Sequence, residues 1–389
     1  MRAQPPLSLW AKEPLESRIL HRPGTPPRRP QGSASTGVKI SAVFRPSKSI
    51  VGLDLGSSVV KAVEISLEGP EPVVTGFSRV EIPPGGTTSE AIAAVFREGR
   101  FRSKRVVTSV AGQDVVVRYV SLVQMTDSEL KSAIRFEADK YLPFELDEVV
   151  LDCQGLGSLV GAEGSEAADN QMNALLAACK TEAIESQVEL VHDQGLQLAA
   201  IDVDLFALAN AWELCGVMPD DLEEEARGIA LVDVGATRTS INVLFGGQTC
   251  FSREINIGGK DMTEAVARRL SVEIFEAEAI KRASESHEAE VNSAIAPVLE
   301  DLVSEIALSL DYVEHHSGFS VEEILLSGGG VLAPGAAGYI EQATARRART
   351  WNPLEGLRVD AQRVDVEELE AWAPTLVVAV GLASRVRAA

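Results

Sequence analysis

Four cysteines occur in 389 residues, Cys153, Cys179, Cys215 and Cys250, and no two form a C-x-x-C pair. With no histidine at metal spacing beside them, they read as reduced, buried thiols of a cytoplasmic protein. The five histidines form no cluster, and His315 and His316 follow a helical stretch. No apolar run reaches the length of a membrane span. Pro and Arg interrupt every early apolar stretch, so no cleavable signal is expected. Basic charge is scarce as well. The 36 Lys and Arg against 57 Asp and Glu leave a net charge of −21, which argues against nucleic acid, whose binders present a basic face. A Walker A sequence is absent, which excludes a P-loop nucleotide site.

What is present is a repeated turn. Ile50 to Ile65 reads as two apolar strands joined by Asp54-Leu55-Gly56-Ser57-Ser58. Val and Ile favour the strands, Gly56 lets the backbone approach a ligand, and Ser57 and Ser58 place hydroxyls beside N–H donors that cradle an anion. Asp54 then suits Mg²⁺, a hard cation that takes oxygen ligands. A buried hairpin with a glycine turn is the plain alternative. The same grammar returns at Ile229 to Val243, around Asp233-Val234-Gly235-Ala236-Thr237. The spacing is too wide for a solenoid and fits two similar lobes facing one ligand. A third element, Glu323 to Leu326 followed by Ser327-Gly328-Gly329-Gly330, is an apolar strand ending where backbone can lie flat against an adenine or ribose.

Length suits two or more domains. Residues 1–48 hold nine Lys or Arg against two acids and are rich in Pro, Ser and Gly. They read as a basic, disordered arm, with contact to an anionic membrane surface as the alternative. Residues 49–103 then form the first lobe core, completed by 197–227 and 370–389. An inserted αβ subdomain is expected at 104–196 and the second lobe at 228–369. Within the insertion, Leu130, Ala133, Ile134, Ala138, Tyr141 and Leu142 share a helix face that Pro143 ends. A polar loop follows at 155–170, and an acidic linker, Asp220 to Glu225, precedes the second lobe.

Two Asp-Gly hairpins followed by a strand and Gly-Gly-Gly resemble the actin, sugar-kinase and heat-shock-70 ATPase superfamily. The resemblance implies an α/β, actin-like two-lobe ATPase fold, with two ribonuclease-H-like domains closing over ATP and Mg²⁺. The run Arg135-Phe136-Glu137-Ala138-Asp139-Lys140-Tyr141-Leu142-Pro143-Phe144 through Asp152 looks like the signature of the type IV pilus assembly protein PilM family. Lys61, Thr239-Ser240-Ile241, Arg253-Glu254-Ile255, Gly258-Gly259 and Trp351-Asn352-Pro353 agree with it. Three departures stand out: the basic arm, Arg238 in place of a small hydroxyl residue, and Phe136 and Leu142 in place of Trp and Ile.

The resemblance implies an ATP-binding scaffold with an FtsA-like inserted subdomain, gripping the cytoplasmic N-terminal tail of the inner-membrane protein PilN. Pilus motor components and further copies of the chain are other partners it leaves open. Asp54 and Asp233 are expected on the metal, and the turns Gly56, Ser57, Ser58 and Gly235, Ala236, Thr237 on phosphate, with Lys61 nearby and Arg238 adding charge. Gly328, Gly329 and Gly330 are expected against the nucleoside. By analogy, Asp204 stands near an attacking water, while Glu278 and Lys281 meet ribose or adenine, a solvated helix face being their alternative. Phe136, Tyr141, Leu142 and Phe144 are the groove candidates for the peptide, with core packing as theirs. A small-molecule kinase with Asp204 as base and an FtsA-like polymerising scaffold remain the other readings. The short tail from Arg385 to Ala389 speaks against the second, which calls for a membrane-targeting amphipathic helix.

Overall fold

Apolar residues on both faces make β1 (Ser49–Leu55) a central strand, with Ile50, Val51 and Leu53 fully buried. The protein is seen here as a computed structural model that describes residues 49–67, 71–157, 171–215, 228–283 and 287–387. The basic arm, most of the polar loop at 155–170 and the acidic linker lie outside the described residues. From β1 the chain turns at Gly56 into antiparallel β2 (Val59–Ser66), and β3 (Val73–Glu81) adds a third antiparallel strand. On the other side of β1 lie β4 (Arg105–Val110) and then β8 (Gln197–Val203), both parallel to it. Helix α1 (Thr88–Glu98) covers one face, its N-terminus closed by a reciprocal Thr87–Glu90 capping box.

The second lobe repeats this order. Strands β9 (Gly228–Val234), β10 (Thr239–Phe245) and β11 (Gln248–Ile255) are antiparallel, and β12 (Val321–Ser327) and β13 (Arg347–Thr350) extend the sheet in parallel from β9. Helices α5 (Gly259–Leu270), α6 (Ile274–Arg282) and α7 (Glu288–Ser317) build its outer layer. Five strands of each sheet therefore run 3-2-1-4-5 in their own order, with the Asp-Gly hairpin formed by strands one and two, and the first sheet carries a sixth strand at its edge.

A separate three-stranded sheet, ordered β5 (Val115–Val123), β7 (Gln171–Lys180) and β6 (Val149–Gly157), is the insertion. Helix α2 (Asp127–Glu137) lies on it through Leu130 and Ile134. The sequence pattern carried this helix to Leu142. The structure ends it at Glu137 and tightens the chain into a 3₁₀ turn, Ala138–Lys140. Pro143 explains this, since its ring collides with the carbonyl four residues back in a continued helix.

Two boundaries differ from the sequence expectation. β4 belongs to the first sheet rather than to the 104–196 insertion, because Val106 and Val107 are buried on opposite faces beside β1. The two-residue strand β14 (Arg358–Val359) lies within the stretch expected in the second lobe, yet it pairs with β3. Its neighbours Trp351, Leu354, Val364 and Leu369 pack into the first lobe's core with α4 (Asp204–Cys215) and α10 (Val377–Ala383). α3 (Thr181–Asp193), α8 (Ala336–Thr344) and α9 (Val366–Ala371) complete the helices described here.

Helix α10 fits against β1 and α4 only because glycine stands at both contacts. A Cβ on Gly52 would lie 1.9 Å from the Ala379 carbonyl oxygen, and one on Gly381 would lie 1.8 Å from that of Ala207.

Candidate functional site

Strand register places the first pair of charges. Asp54 and Lys61 are cross-strand partners in β1 and β2, and the Lys61 ammonium lies 2.5 Å from Asp54 Oδ2. It also donates to the Thr375 carbonyl at 3.2 Å. Burial works against its charge, but Asp54, and more distantly Asp233 and Asp204, raise its pKa above the ordinary lysine value. Lys61 thus neutralises a carboxylate at the cleft floor, which is a more constrained role than free phosphate contact.

Asp233 lies one residue before the end of β9, beside Ser327 on parallel β12, and the Ser327 hydroxyl donates to Asp233 Oδ1 at 2.7 Å. Burial pushes the Asp233 carboxyl up, with Lys61 and Ser327 holding it back. Asp204 opens α4. Burial, followed by the charge of Asp54 and then of Asp233, lifts its pKa to about 7, against a hydrogen bond from Ser109 and the charge of Arg238. Three carboxylates thus share one field with a single lysine between them. Among the described residues no three His, Cys, Asp or Glu side chains converge as metal ligands. Two carboxylates and a concentration of negative charge fit a Mg²⁺ held largely through water and phosphate oxygens.

The two turns meet. Ser57 Oγ and Thr237 Oγ1 are 3.3 Å apart, joining the hairpins of both lobes. In the second turn Gly235 N–H donates to the Arg238 carbonyl at 2.8 Å, and α5 docks on the turn through Gly259 N–H to Gly235 O at 2.9 Å and Lys260 N–H to Ala236 O at 2.7 Å. Gly328 sits at φ +90, where a Cβ would meet Val234 O at 2.3 Å, while a Cβ on Gly329 would meet nothing within 4 Å. The glycine triplet therefore turns sharply and leaves Gly329 with open space beside it, as a flat ligand requires. Gly330 is buried against Val234.

Glu278 and Lys281 occupy α6 but face inward. Lys281 donates to Gly259 O at 2.9 Å, to Thr263 Oγ1 at 2.7 Å and to Glu278 Oε2 at 2.7 Å. Its three N–H bonds are committed, and they brace α6 against α5. Burial, helped by the charge of Arg282, lowers the Lys281 pKa against the pull of Glu278, whereas burial is outweighed at Glu278 by Lys281 and its hydrogen bonds, which hold that carboxyl below its usual value. Glu278 Oε1 accepts from Arg282 Nε at 2.8 Å, and Arg282 Nη1 reaches across to Glu81 of β3 at 2.6 Å.

The four groove candidates do not share one environment. Tyr141 and Leu142 are half-buried against Leu130, Ile134 and Met172, and the Phe144 ring lies 5.5 Å from the Lys180 ammonium. Phe136 is 84% exposed, and Val123 at the end of β5 is 60% exposed. Sequence reasoning passed over Ser327, Thr375, Thr263, Arg282 and the buried pair Asp202–Arg385. Only Ser327 carried a signal, as the last strand residue before the glycine triplet.

Two sheets of the same order, each presenting an Asp-Gly hairpin to a shared cleft, define an actin-like ATPase fold. The description "Type IV pilus assembly protein PilM" matches residues 52–387, and the chain belongs to that family. A solved PilM–PilN type IV pilus biogenesis complex contains a chain 30% identical, with a TM-score of 0.74 over 87% of this chain and 98% of that one. MreB5 of Spiroplasma citri bound to AMPPNP is similar at 12% identity and a TM-score of 0.43, covering 86% of this chain and 94% of that one. EutJ, an ethanolamine utilization protein from Carboxydothermus hydrogenoformans, is similar at 16% and 0.48, covering 86% and 89%.

Proposed function

We propose that this protein is the cytoplasmic, ATP-binding scaffold that captures the N-terminal tail of a PilN-like inner-membrane protein during type IV pilus assembly. The similarity to the PilM–PilN complex, extending over 98% of that chain, carries the reading. No helix among the described residues is long and apolar enough to cross a membrane, so a tethered peptide supplies the attachment. An extended tail adds backbone hydrogen bonds to a sheet edge and lays alternate side chains into apolar wall residues. The exposed Phe136 and Val123 and the half-buried Tyr141, Leu142 and Phe144 are the insertion's candidates for such a wall.

In the cleft, Asp54 and Asp233 would hold a bound Mg²⁺, and the turns at Gly56, Ser57, Ser58 and Gly235, Ala236, Thr237 would receive phosphate. Gly328, Gly329 and Gly330 flank the nucleoside, and Glu278, braced by Lys281, faces the ribose side. Bound Mg²⁺ would supply charge neutralisation at the phosphates. Asp204, with a pKa of about 7, is matched to accept a proton from an attacking water near neutral pH, which supports slow ATP hydrolysis.

Calorimetric titration of the full chain with a synthetic PilN N-terminal peptide tests the partner. A Kd near micromolar, about −8 kcal/mol, is expected, with Phe136→Asp weakening it about tenfold or more at unchanged melting temperature. Absence of binding by the wild type overturns the reading. Phosphorylation of a small hydroxyl compound in its place would favour a kinase.

A further inference from the structure

Arg238 lies within the second phosphate turn, next to the Thr237 hydroxyl that meets Ser57. Its guanidinium Nε is 3.6 Å from Glu254 Oε1 on β11. The other oxygen of Glu254 accepts the Gly112 N–H at 3.2 Å. Gly112 is the bend between β4 and β5, where the chain leaves the first lobe for the inserted sheet. It stands at φ +86, and a Cβ there would fall 2.2 Å from Arg238 Nη1. The guanidinium therefore lies across the root of the insertion.

We propose that Arg238 couples the phosphate site to the inserted sheet: it rests on Glu254, which holds the Gly112 amide, and it turns to phosphate when nucleotide binds. The inference rests on the nucleotide reading given above. At 3.6 Å the ion pair is long for a charge-assisted bond, and the Arg238 and Glu254 side chains are 39% and 19% exposed, so one carboxylate holds the arginine weakly. A polyphosphate offers several acceptor oxygens to the same planar fork. The charge of Arg238 already reaches the cleft, since it is one of the influences that restrain the Asp204 pKa. Tyr119 of β5 keeps a second tie to the lobe, its hydroxyl 2.8 Å from Ser252 Oγ on β11. Once Arg238 no longer orients it, the partly exposed Glu254 carboxylate swings toward water and off the Gly112 amide, and the inserted sheet shifts while the Tyr119 contact keeps it attached.

Hydrogen–deuterium exchange of the Gly112 amide, read together with PilN-peptide affinity, tests the coupling in the full-length protein. In the wild type, Mg-AMPPNP is expected to speed Gly112 exchange and to change peptide affinity by about fivefold, the low end of ordinary coupling. In Arg238→Ser, exchange is expected to be fast from the start and the nucleotide to leave peptide affinity unchanged. Arg238→Lys should recover part of the response. Mg-AMPPNP binding to the wild type with Gly112 exchange unaltered overturns the inference and leaves the nucleotide reading intact, as does a wild-type response in Arg238→Ser. Failure of Mg-AMPPNP to bind overturns the nucleotide reading, and the proposed trigger falls with it.

Discussion

The hydroxyls of Ser57 and Thr237, 180 positions apart in the chain, are 3.3 Å apart in the fold. They belong to the two turns proposed to receive phosphate, so a phosphate bound there must either enter beside this contact or part it. In a Ser57→Cys/Thr237→Cys variant, mild oxidation is expected to cross-link the lobes in the nucleotide-free protein, and Mg-AMPPNP to slow the reaction. Non-reducing electrophoresis checks this. Cys153, Cys179 and Cys215 are buried and Cys250 half-buried, which keeps background reaction low.

Asp204 predicts a pH dependence of stability. Its folded pKa of about 7 lies above the ordinary carboxylate value, so the folded protein binds that proton more tightly than the unfolded chain. The contribution is complete below about pH 4 and is lost as pH rises through about 7. Melting temperature in the absence of ligand should fall between pH 5 and pH 8 through this group, and Asp204→Asn should flatten the fall. Equal slopes in both proteins would contradict the assignment.

Lys281 is predicted to matter for folding before it matters for ligand. Lys281→Met strips partners from the Gly259 carbonyl and from Glu278, and each lost charge-assisted bond is worth about 1.5–3 kcal/mol. Chemical denaturation should show the loss directly. Adding Glu278→Gln should recover part of it, because a neutral amide no longer needs the cation.

The bridge from Arg282 to Glu81 joins the lobes at their exposed rim, with the two side chains 43% and 48% exposed. Such a pair contributes about 0–1 kcal/mol and weakens with salt. Arg282→Ala should therefore raise the dissociation rate of a fluorescent ATP analogue by no more than about fivefold, and the difference should fade in high salt. A much larger effect would assign Arg282 to the nucleotide itself.

Much of this architecture could be read from residues that obey local rules. The Asp-Gly hairpins, the apolar face of α2 and the apolar run of α10 each carry a pattern that neighbours in sequence suffice to set. The placement of Asp54 and Asp233 on hairpin strands was legible, because strand register decides it. The site was not legible where long-range packing decides. Whether Lys281 faces a ligand or Gly259 depends on how α6 settles on α5, and a helical period cannot tell these apart. Arg385 looked like the start of a polar tail, yet it is buried against Asp202, a partner far away in sequence. β14 has two residues and no periodicity to read.

Gly52→Val or Gly381→Val is predicted to prevent stable folding, because either side chain would enter space held by backbone rather than by a movable side chain. Soluble yield and near-ultraviolet circular dichroism check this. Gly329→Ala, with open space around it, should fold normally and serves as the control.

That glycine seam also sets a timetable. β1 emerges among the first residues of the described chain and α10 among the last, yet each covers the other's buried face. A nascent first lobe therefore waits, with Ile50 and Val63 unshielded, until the ribosome has delivered the whole second lobe. High contact order of this kind slows folding and prolongs exposure of strand edges. The second sheet, whose strands β9 to β13 are contiguous apart from their own helices, has all its partners in hand earlier and can form first.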